Sequence, residues 1–305
     1  MHIPDGFLST PVWASLNAVS VPAIGYLARR AQSQIDESLI PLLGVMGAFV
    51  FAAQMINFPV GVGTSGHLIG SALLATTMGP AAATIIMTAI LVIQALVFQD
   101  GGILALGANV FNMAVVGVLA GYLPYHYAGN SAWRRAAVVA GGILSVLAGA
   151  LLAIAQLAVS GVRLPGAVLN ISLGLFVVTA ILEGLITLVV FEAIERLNPR
   201  WVQTPQGSNR ALGVLAAIAI LLAVVGVLFA SQSPDVLEGL ADRAGFAGQA
   251  RTLLETPVGD YEFKGWGSAW FSKAAAGLVG IGVVYLSCAL FARWLRTRSG
   301  ASPRH

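Results

Sequence analysis

The chain opens Met1-His2-Ile3-Pro4-Asp5-Gly6, and the nitrogens of its first two residues can chelate one metal ion. Terminal amine to backbone amide closes a five-membered ring. Amide to the Nδ1 atom of His2 closes a six-membered ring. With the amide deprotonated this is a planar, nitrogen-only set of the kind that Ni(II) or Cu(II) favours. The bulky residue at position two also disfavours aminopeptidase removal of Met1, so the amine is expected to persist. A further histidine closes the run Gly61-Val62-Gly63-Thr64-Ser65-Gly66-His67, where glycines let the backbone bend and approach closely. His67 can supply a fourth nitrogen, and it equally fits an interfacial residue ahead of a helix. Thr64 and Ser65 can satisfy backbone groups freed by the bend. Asp5 either orients His2 or the amine, caps the first helix, or faces solvent. Asn109 and Asn112, three apart, are expected to share a helix face. There they either hold the N-terminal segment through hydrogen bonds outside the ligand set or join helices. Amide oxygens suit a nitrogen-preferring ion poorly, so neither is expected as a ligand.

Other reactive groups are isolated. Glu183 lies in an apolar run with no basic neighbour in sequence, a costly position unless it is paired or protonated, and it also fits a cation path. Glu192 and Glu195 are expected to pair with Arg196 or with another subunit. His126, in a loop, and His305 read as solvated. Cys288, the single cysteine, reads as a small buried hydrophobe. No phosphate-binding G-x-x-x-x-G-K-[ST] run or H-E-x-x-H occurs, so ATP hydrolysis and zinc proteolysis are not expected of this chain. Gly161–Gly166 offers no nucleophile–base pair.

These groups must be positioned by membrane helices. Of 305 residues, 57% are hydrophobic and 10% charged, and mean hydropathy is +0.85; a soluble domain carries about 25% charge. The net charge of +3 reflects basic loops rather than a nucleic-acid surface. Apolar runs predict an all-α polytopic protein with about nine spans. They cover Val12–Ala28, Leu39–Ile56, Leu68–Gly79, Ala81–Phe98, Leu104–Leu123, Ala136–Val159, Ala167–Ile194, Leu212–Ala230 and Ala274–Trp294. The third is short, and its first turns are expected to start inside the membrane. Nine spans with an outer N-terminus put eleven of the sixteen Lys and Arg residues on the cytoplasmic side: Arg29, Arg30, Arg134, Arg135, Arg196, Arg200, Arg210, Arg293, Arg296, Arg298 and Arg304. His2 and the loop Asn57–His67 then share the outer face. Residues 1–200 form a first module and polar residues 201–210 a cytoplasmic linker. Residues 211–305 form a two-span second module around an acidic outer segment, Ser231–Lys273.

Met1-His2-Ile3-Pro4-Asp5-Gly6-Phe7-Leu8, Gly63-Thr64-Ser65-Gly66-His67-Leu68 and the Gln94–Gly117 block resemble the nickel/cobalt-specific substrate-binding membrane subunit of energy-coupling-factor transporters. The likeness spans roughly Met1–Asn198. The remainder, with Pro234-Asp235-Val236-Leu237-Glu238 and Thr256-Pro257-Val258-Gly259-Asp260-Tyr261-Glu262, resembles the small companion subunit with the PDGLE signature, here fused. Val236 stands at the signature's glycine, and Gly61-Val62 replaces an expected proline–glycine pair.

The resemblance implies a six-helix core with an extra N-terminal helix and a metal held by the Met1 amine, the His2 amide nitrogen and imidazole, and His67. It implies a separate transmembrane coupling subunit and two ATPase subunits in a bacterial or archaeal cytoplasmic membrane. The bound ion would be substrate rather than cofactor, and the companion points to nickel over cobalt. The expected function is therefore metal capture for an ATP-driven nickel importer. A cobalt importer of the same architecture is the alternative. A stand-alone secondary permease fits less well, because no internal repeat is visible, and a membrane enzyme lacks any motif.

Overall fold

The computed structural model describes residues 1–32, 39–198, 209–266 and 268–298. Residues 201–208 of the expected linker, Arg200, Arg304 and His305 lie outside them.

Helices form where the apolar runs predict them. They are α1 (Thr10–Gln32), α2 (Ile40–Gln54) and the eight-residue α3 (Ser71–Met78). Then come α4 (Pro80–Phe98), α5 (Leu106–Ala128), α6 (Arg134–Val159), α7 (Gly166–Leu197) and α8 (Asn209–Leu228). A short α9 (Val236–Ala244) and a long α10 (Ala269–Arg298) complete the chain. Among the described residues six of these, α4 to α8 and α10, are long and apolar enough to cross a membrane. The protein is mostly helical and multi-pass.

Every residue of α3 is buried, and its ends are set by Gly70 (φ 80°) and Gly79 (φ 79°). Pro80 then opens α4 at the first helical position, where its missing N–H costs nothing. Two helices contain π-helical stretches, Gln94–Phe98 at the end of α4 and Val110–Gly117 inside α5. Their i→i+5 bonding alters the side-chain period.

Between α2 and α3, where the glycine-rich run predicts a loop, the chain makes a two-stranded hairpin: β1 (Phe58–Gly61) pairs antiparallel with β2 (Thr64–Gly66). Its two central residues, Val62 and Gly63, both have positive φ, 51° and 67°. That is the requirement of the tight hairpin turn whose twist matches the strands.

Small residues set the helix crossings, as in other membrane bundles. A Cβ on Gly142 of α6 would stand 2.5 Å from the Cα of Gly184 in α7. A Cβ on Gly44 of α2 would stand 2.6 Å from the ring of Tyr285 in α10. Helices α8 and α10 both pack on α2, and α10 also reaches α4. Cys288 is buried in this seam beside Gly47.

Three sequence expectations change. His126 lies within α5, not in a loop. Glu195 pairs with Arg134 rather than Arg196, while Glu192 makes the expected pair with Arg196 at 3.8 Å and a closer one with Arg135 at 2.7 Å. The outer segment, expected as a loop joining the last two spans, carries α9 and 3₁₀ turns. Val236 is the first residue of α9, without positive φ, so that position places no demand for glycine.

Candidate metal centre

The N-terminal segment is threaded into the protein. Met1, His2, Ile3 and Asp5 are all buried. Asn109, near the start of α5, clasps Ile3 on both backbone groups. Its Oδ1 accepts from the Ile3 N–H at 2.8 Å, and its Nδ2 donates to the Ile3 carbonyl at 3.0 Å. The Gly102 N–H donates to the same carbonyl at 2.9 Å. A Cβ on Gly102 would clash with Asp5, so this close approach requires glycine.

Asp5 does not orient His2 or the amine. Its carboxylate accepts from the Ile103 N–H at 2.9 Å and the Ala105 N–H at 3.0 Å. It therefore satisfies donors of the turn that leads into α5. Asn112 takes the other of its two expected roles and joins helices. It forms a reciprocal pair with Gln156 of α6 at 2.9 and 2.6 Å. Asn109 and Asn112 thus face different partners, and π-helical bonding begins between them at Val110.

His67 follows β2. Its Nδ1 lies 3.0 Å from the carbonyl of Leu68, an acceptor, so Nδ1 carries the proton and Nε2 keeps a lone pair. That Nε2 is 3.1 Å from the Met1 amine nitrogen. The His2 and His67 rings stack at 5.5 Å between centroids and 7° between planes. Burial, then the amine and His2, push the His67 imidazole down to about 4 against the pull of Asp235 and Asp100. It is neutral at pH 7, as a metal ligand must be.

The segment after His67 is held from within the core. Glu183 of α7 accepts from the Ile69 N–H at 2.7 Å and the Gly70 N–H at 2.9 Å. Gln54 donates to the Ile69 carbonyl at 2.7 Å. Thr64 bonds back to the Gly61 carbonyl within the hairpin at 2.6 Å. Ser65 reaches outward: its N–H donates to Pro234 at 2.8 Å and its hydroxyl to Ser233 at 2.7 Å.

Two groups absent from the expected site touch it. Asp235 ion-pairs with the Met1 amine. Asp100 sits 3.1 Å from His2 Nδ1 and accepts from the Tyr261 hydroxyl at 2.6 Å. Tyr261 in turn accepts from Gln94, which also donates to Gln54. Burial would raise both carboxyls. His2 and Tyr261 nonetheless hold Asp100 well below the usual carboxylate range, and the amine and His67 lower Asp235. Burial and Asp235 together raise Glu238. The one legible signal was the Asp235–Glu238 spacing. It forms a reciprocal capping box at the start of α9, with bonds of 2.8 and 2.9 Å. The cap fixes Asp235 against the amine.

Among the described residues, no three His, Cys, Asp or Glu side chains gather as a metal cage. The convergent nitrogens are two imidazoles and a chain terminus.

The cobalt uptake substrate-specific transmembrane region model matches residues 2–201, and the PDGLE domain model matches residues 209–297. A protein of Archaeoglobus fulgidus named as a putative fused nickel transport protein, NikMN, is 33% identical over 304 residues, covering 97% of this chain and all of that one. The cobalt transport protein CbiM of Acetoanaerobium sticklandii is 36% identical over 207 residues, 64% of this chain and 84% of its own. A crystal structure of a transition metal transporter superposes with a TM-score of 0.58 at 32% identity, covering 72% of this chain and 98% of that one. The chain belongs to the CbiM family of nickel and cobalt transport components and carries a PDGLE domain of the NikN type fused behind it.

Proposed function

We propose that this chain captures Ni(II) at the outer face of a cytoplasmic membrane for an energy-coupling-factor importer. The ion is held by the Met1 amine, the deprotonated His2 amide nitrogen, His2 Nδ1 and His67 Nε2. The observation that carries this reading is the approach of His67 Nε2 to the Met1 nitrogen at 3.1 Å, with Nδ1 bonded away to Leu68. In a planar set of two chelate rings the amine and Nδ1 are opposite each other, so His67 takes the corner facing the amide. It is then adjacent to the amine. Two nitrogens each about 2.0–2.1 Å from one metal are roughly 2.9 Å apart at adjacent corners. Since His2 Nδ1 lies 3.1 Å from Asp100 and the Met1 ammonium pairs with Asp235, binding exchanges both pairings for metal bonds and releases one proton from the ammonium and one from the His2 amide.

Residues 1–200 act as the metal-binding component, 201–210 as linker and 211–305 as companion. Nine crossings leave the amine outside and the C-terminus in the cytoplasm. A transmembrane coupling subunit and two ATPase subunits supply the work, and no cofactor is required. A cobalt cargo keeps the same ligands. It is favoured by likeness to a relative named as a cobalt transporter, whereas planar geometry favours nickel.

X-ray absorption on nickel-loaded protein with a free Met1 tests this. Four short planar nitrogen ligands are expected, lost when residues are added before Met1. His67→Ala should weaken binding by more than about 100-fold, beyond the usual effect of an outer-sphere substitution. An octahedral, oxygen-rich spectrum would falsify the nitrogen site.

A further inference from the structure

The Met1 side chain, which supplies no ligand, is buried in the hydrophobic core. It runs from the amine to α6, where a Cβ on Gly149 would stand 2.8 Å from the Met1 methyl carbon Cε. The thioether tip therefore occupies the space that a side chain at position 149 would fill. Gly149 lies well inside α6, roughly 15 Å from its Val159 end at about 1.5 Å per residue. Its next neighbour is the Asn112 carbonyl at 3.6 Å, so the socket sits at the crossing of α5 and α6 that Asn112 and Gln156 join. Ile69, Phe176 and Thr179 of α7, and Val236 of α9 bound the space left around Met1, which is only about 10 Å³. That is the lower limit of what holds one water. Gly149 has ordinary helical backbone without positive φ. Glycine is unfavourable there relative to alanine, so it is the contact with Met1 that calls for it.

We propose that the Met1 side chain is an anchor that aims the terminal amine at the metal, and that Gly149 is the positioning residue that makes room for it. Chain termini are poorly ordered unless tied down, and a terminal amine swings freely about its own Cα. Here that Cα is held on two sides. Asn109 and Gly102 clasp Ile3 on one side. The thioether in its socket holds the other. Between the two anchors the amine nitrogen faces His67 Nε2 at 3.1 Å. A donor fixed before the ion arrives loses less freedom on binding, and that raises affinity. Methionine suits the task because its unbranched chain fills an irregular gap and its sulfur makes only a weak demand for a hydrogen bond. The site thus reads residue 1 by its side chain as well as by its amine.

This inference rests on the nitrogen site proposed above, and the experiment separates the two. Calorimetric titration with Ni(II) is made on full chains released from an N-terminal fusion by a protease that cuts directly before residue 1. Every chain then has a free amine. X-ray absorption of the nickel-loaded parent runs alongside. Met1→Ala keeps all four donor nitrogens and removes only the anchor, and nickel affinity should fall roughly 10- to 100-fold. Gly149→Val should lower it by a similar factor in the Met1 chain, because it expels the thioether. In the double variant valine adds about as many atoms as Met1→Ala removes. Gly149→Val should there cost less than about threefold relative to Met1→Ala alone, a coupling that a general packing defect at Gly149 cannot produce. Parent-like affinity in Met1→Ala, or equal losses from Gly149→Val in both backgrounds, with a nitrogen-rich parent spectrum, would overturn the anchor alone. An oxygen-rich parent spectrum would overturn the nitrogen site and, with it, the amine that the anchor aims.

Discussion

His67 presents a lone pair because of what its other ring nitrogen does: the Leu68 carbonyl holds Nδ1, and Glu183 and Gln54 fix the peptide groups just beyond. Glu183, which looks in the sequence like a stranded charge, is therefore a positioning residue. Its two oxygens serve two backbone donors. In Glu183→Gln one oxygen becomes an amide donor facing another donor. The buried N–H left over should cost about 1–3 kcal/mol, read as a lower unfolding temperature in detergent together with weaker nickel binding. Unchanged stability would mean these bonds hold nothing in place. Asn109→Ala removes the two-point clasp on Ile3, and nickel affinity should drop roughly 10- to 100-fold with helix content retained. Titration calorimetry beside circular dichroism separates those two readouts. The histidines of this centre are legible in the sequence because the chelate logic is local to Met1-His2, and Gly66-His67 announces itself by its glycines. Asp235 is not legible as a contact. It meets the amine across 234 residues of chain, and only the fold brings that pair together.

Element boundaries follow the same division between local and distant causes. The apolar runs, Pro80 at a helix start and the paired glycines around α3 are local signals, and helices begin and end beside them. The hairpin is hidden because its turn breaks a local rule. Val62 is β-branched and adopts φ 51°, a conformation that normally selects Gly, Asn or Asp. The left-handed region costs an L-residue about 1–2 kcal/mol. Glycine returns about 0.5–1 kcal/mol of that through the entropy of the unfolded chain. Val62→Gly should thus stabilise the protein by a net of roughly 0.5–1 kcal/mol. Val62 is 66% exposed, so little packing is lost. A thermal melt that moves downward instead would mean that Val62 makes contacts outweighing its backbone strain. The π-helical stretches are hidden for the converse reason. Nothing in Val110–Gly117 breaks a propensity rule, yet the bonding changes between Asn109, which reaches Ile3, and Asn112, which reaches Gln156.

At the scale of the whole molecule, the companion is attached along two different kinds of seam. At the centre it joins through backbone hydrogen bonds, Arg251 to Asp5, Ser65 to Pro234 and Ser231 to Asn57, each at 2.8 Å. Phe246 packs edge-on against Phe7 at 4.9 Å. Within the helical layer, α10 lies on α2, where Gly44 admits Tyr285 and Gly47 admits Cys288. Membrane helices gain no hydrophobic advantage from meeting each other over lipid, so close packing at such small residues has to hold them. If that packing keeps the companion in place, the covalent link is dispensable once the protein has folded. A protease site inserted within residues 201–208 and cut after purification should leave the two halves associated in detergent, with nickel affinity intact. Gly44→Leu would drive a side chain into the Tyr285 ring, and the same cut should then release the companion on size exclusion. Release from the uncrowded parent would instead assign the attachment to the linker, and the outer backbone seams would be too weak to keep Asp235 at the Met1 amine.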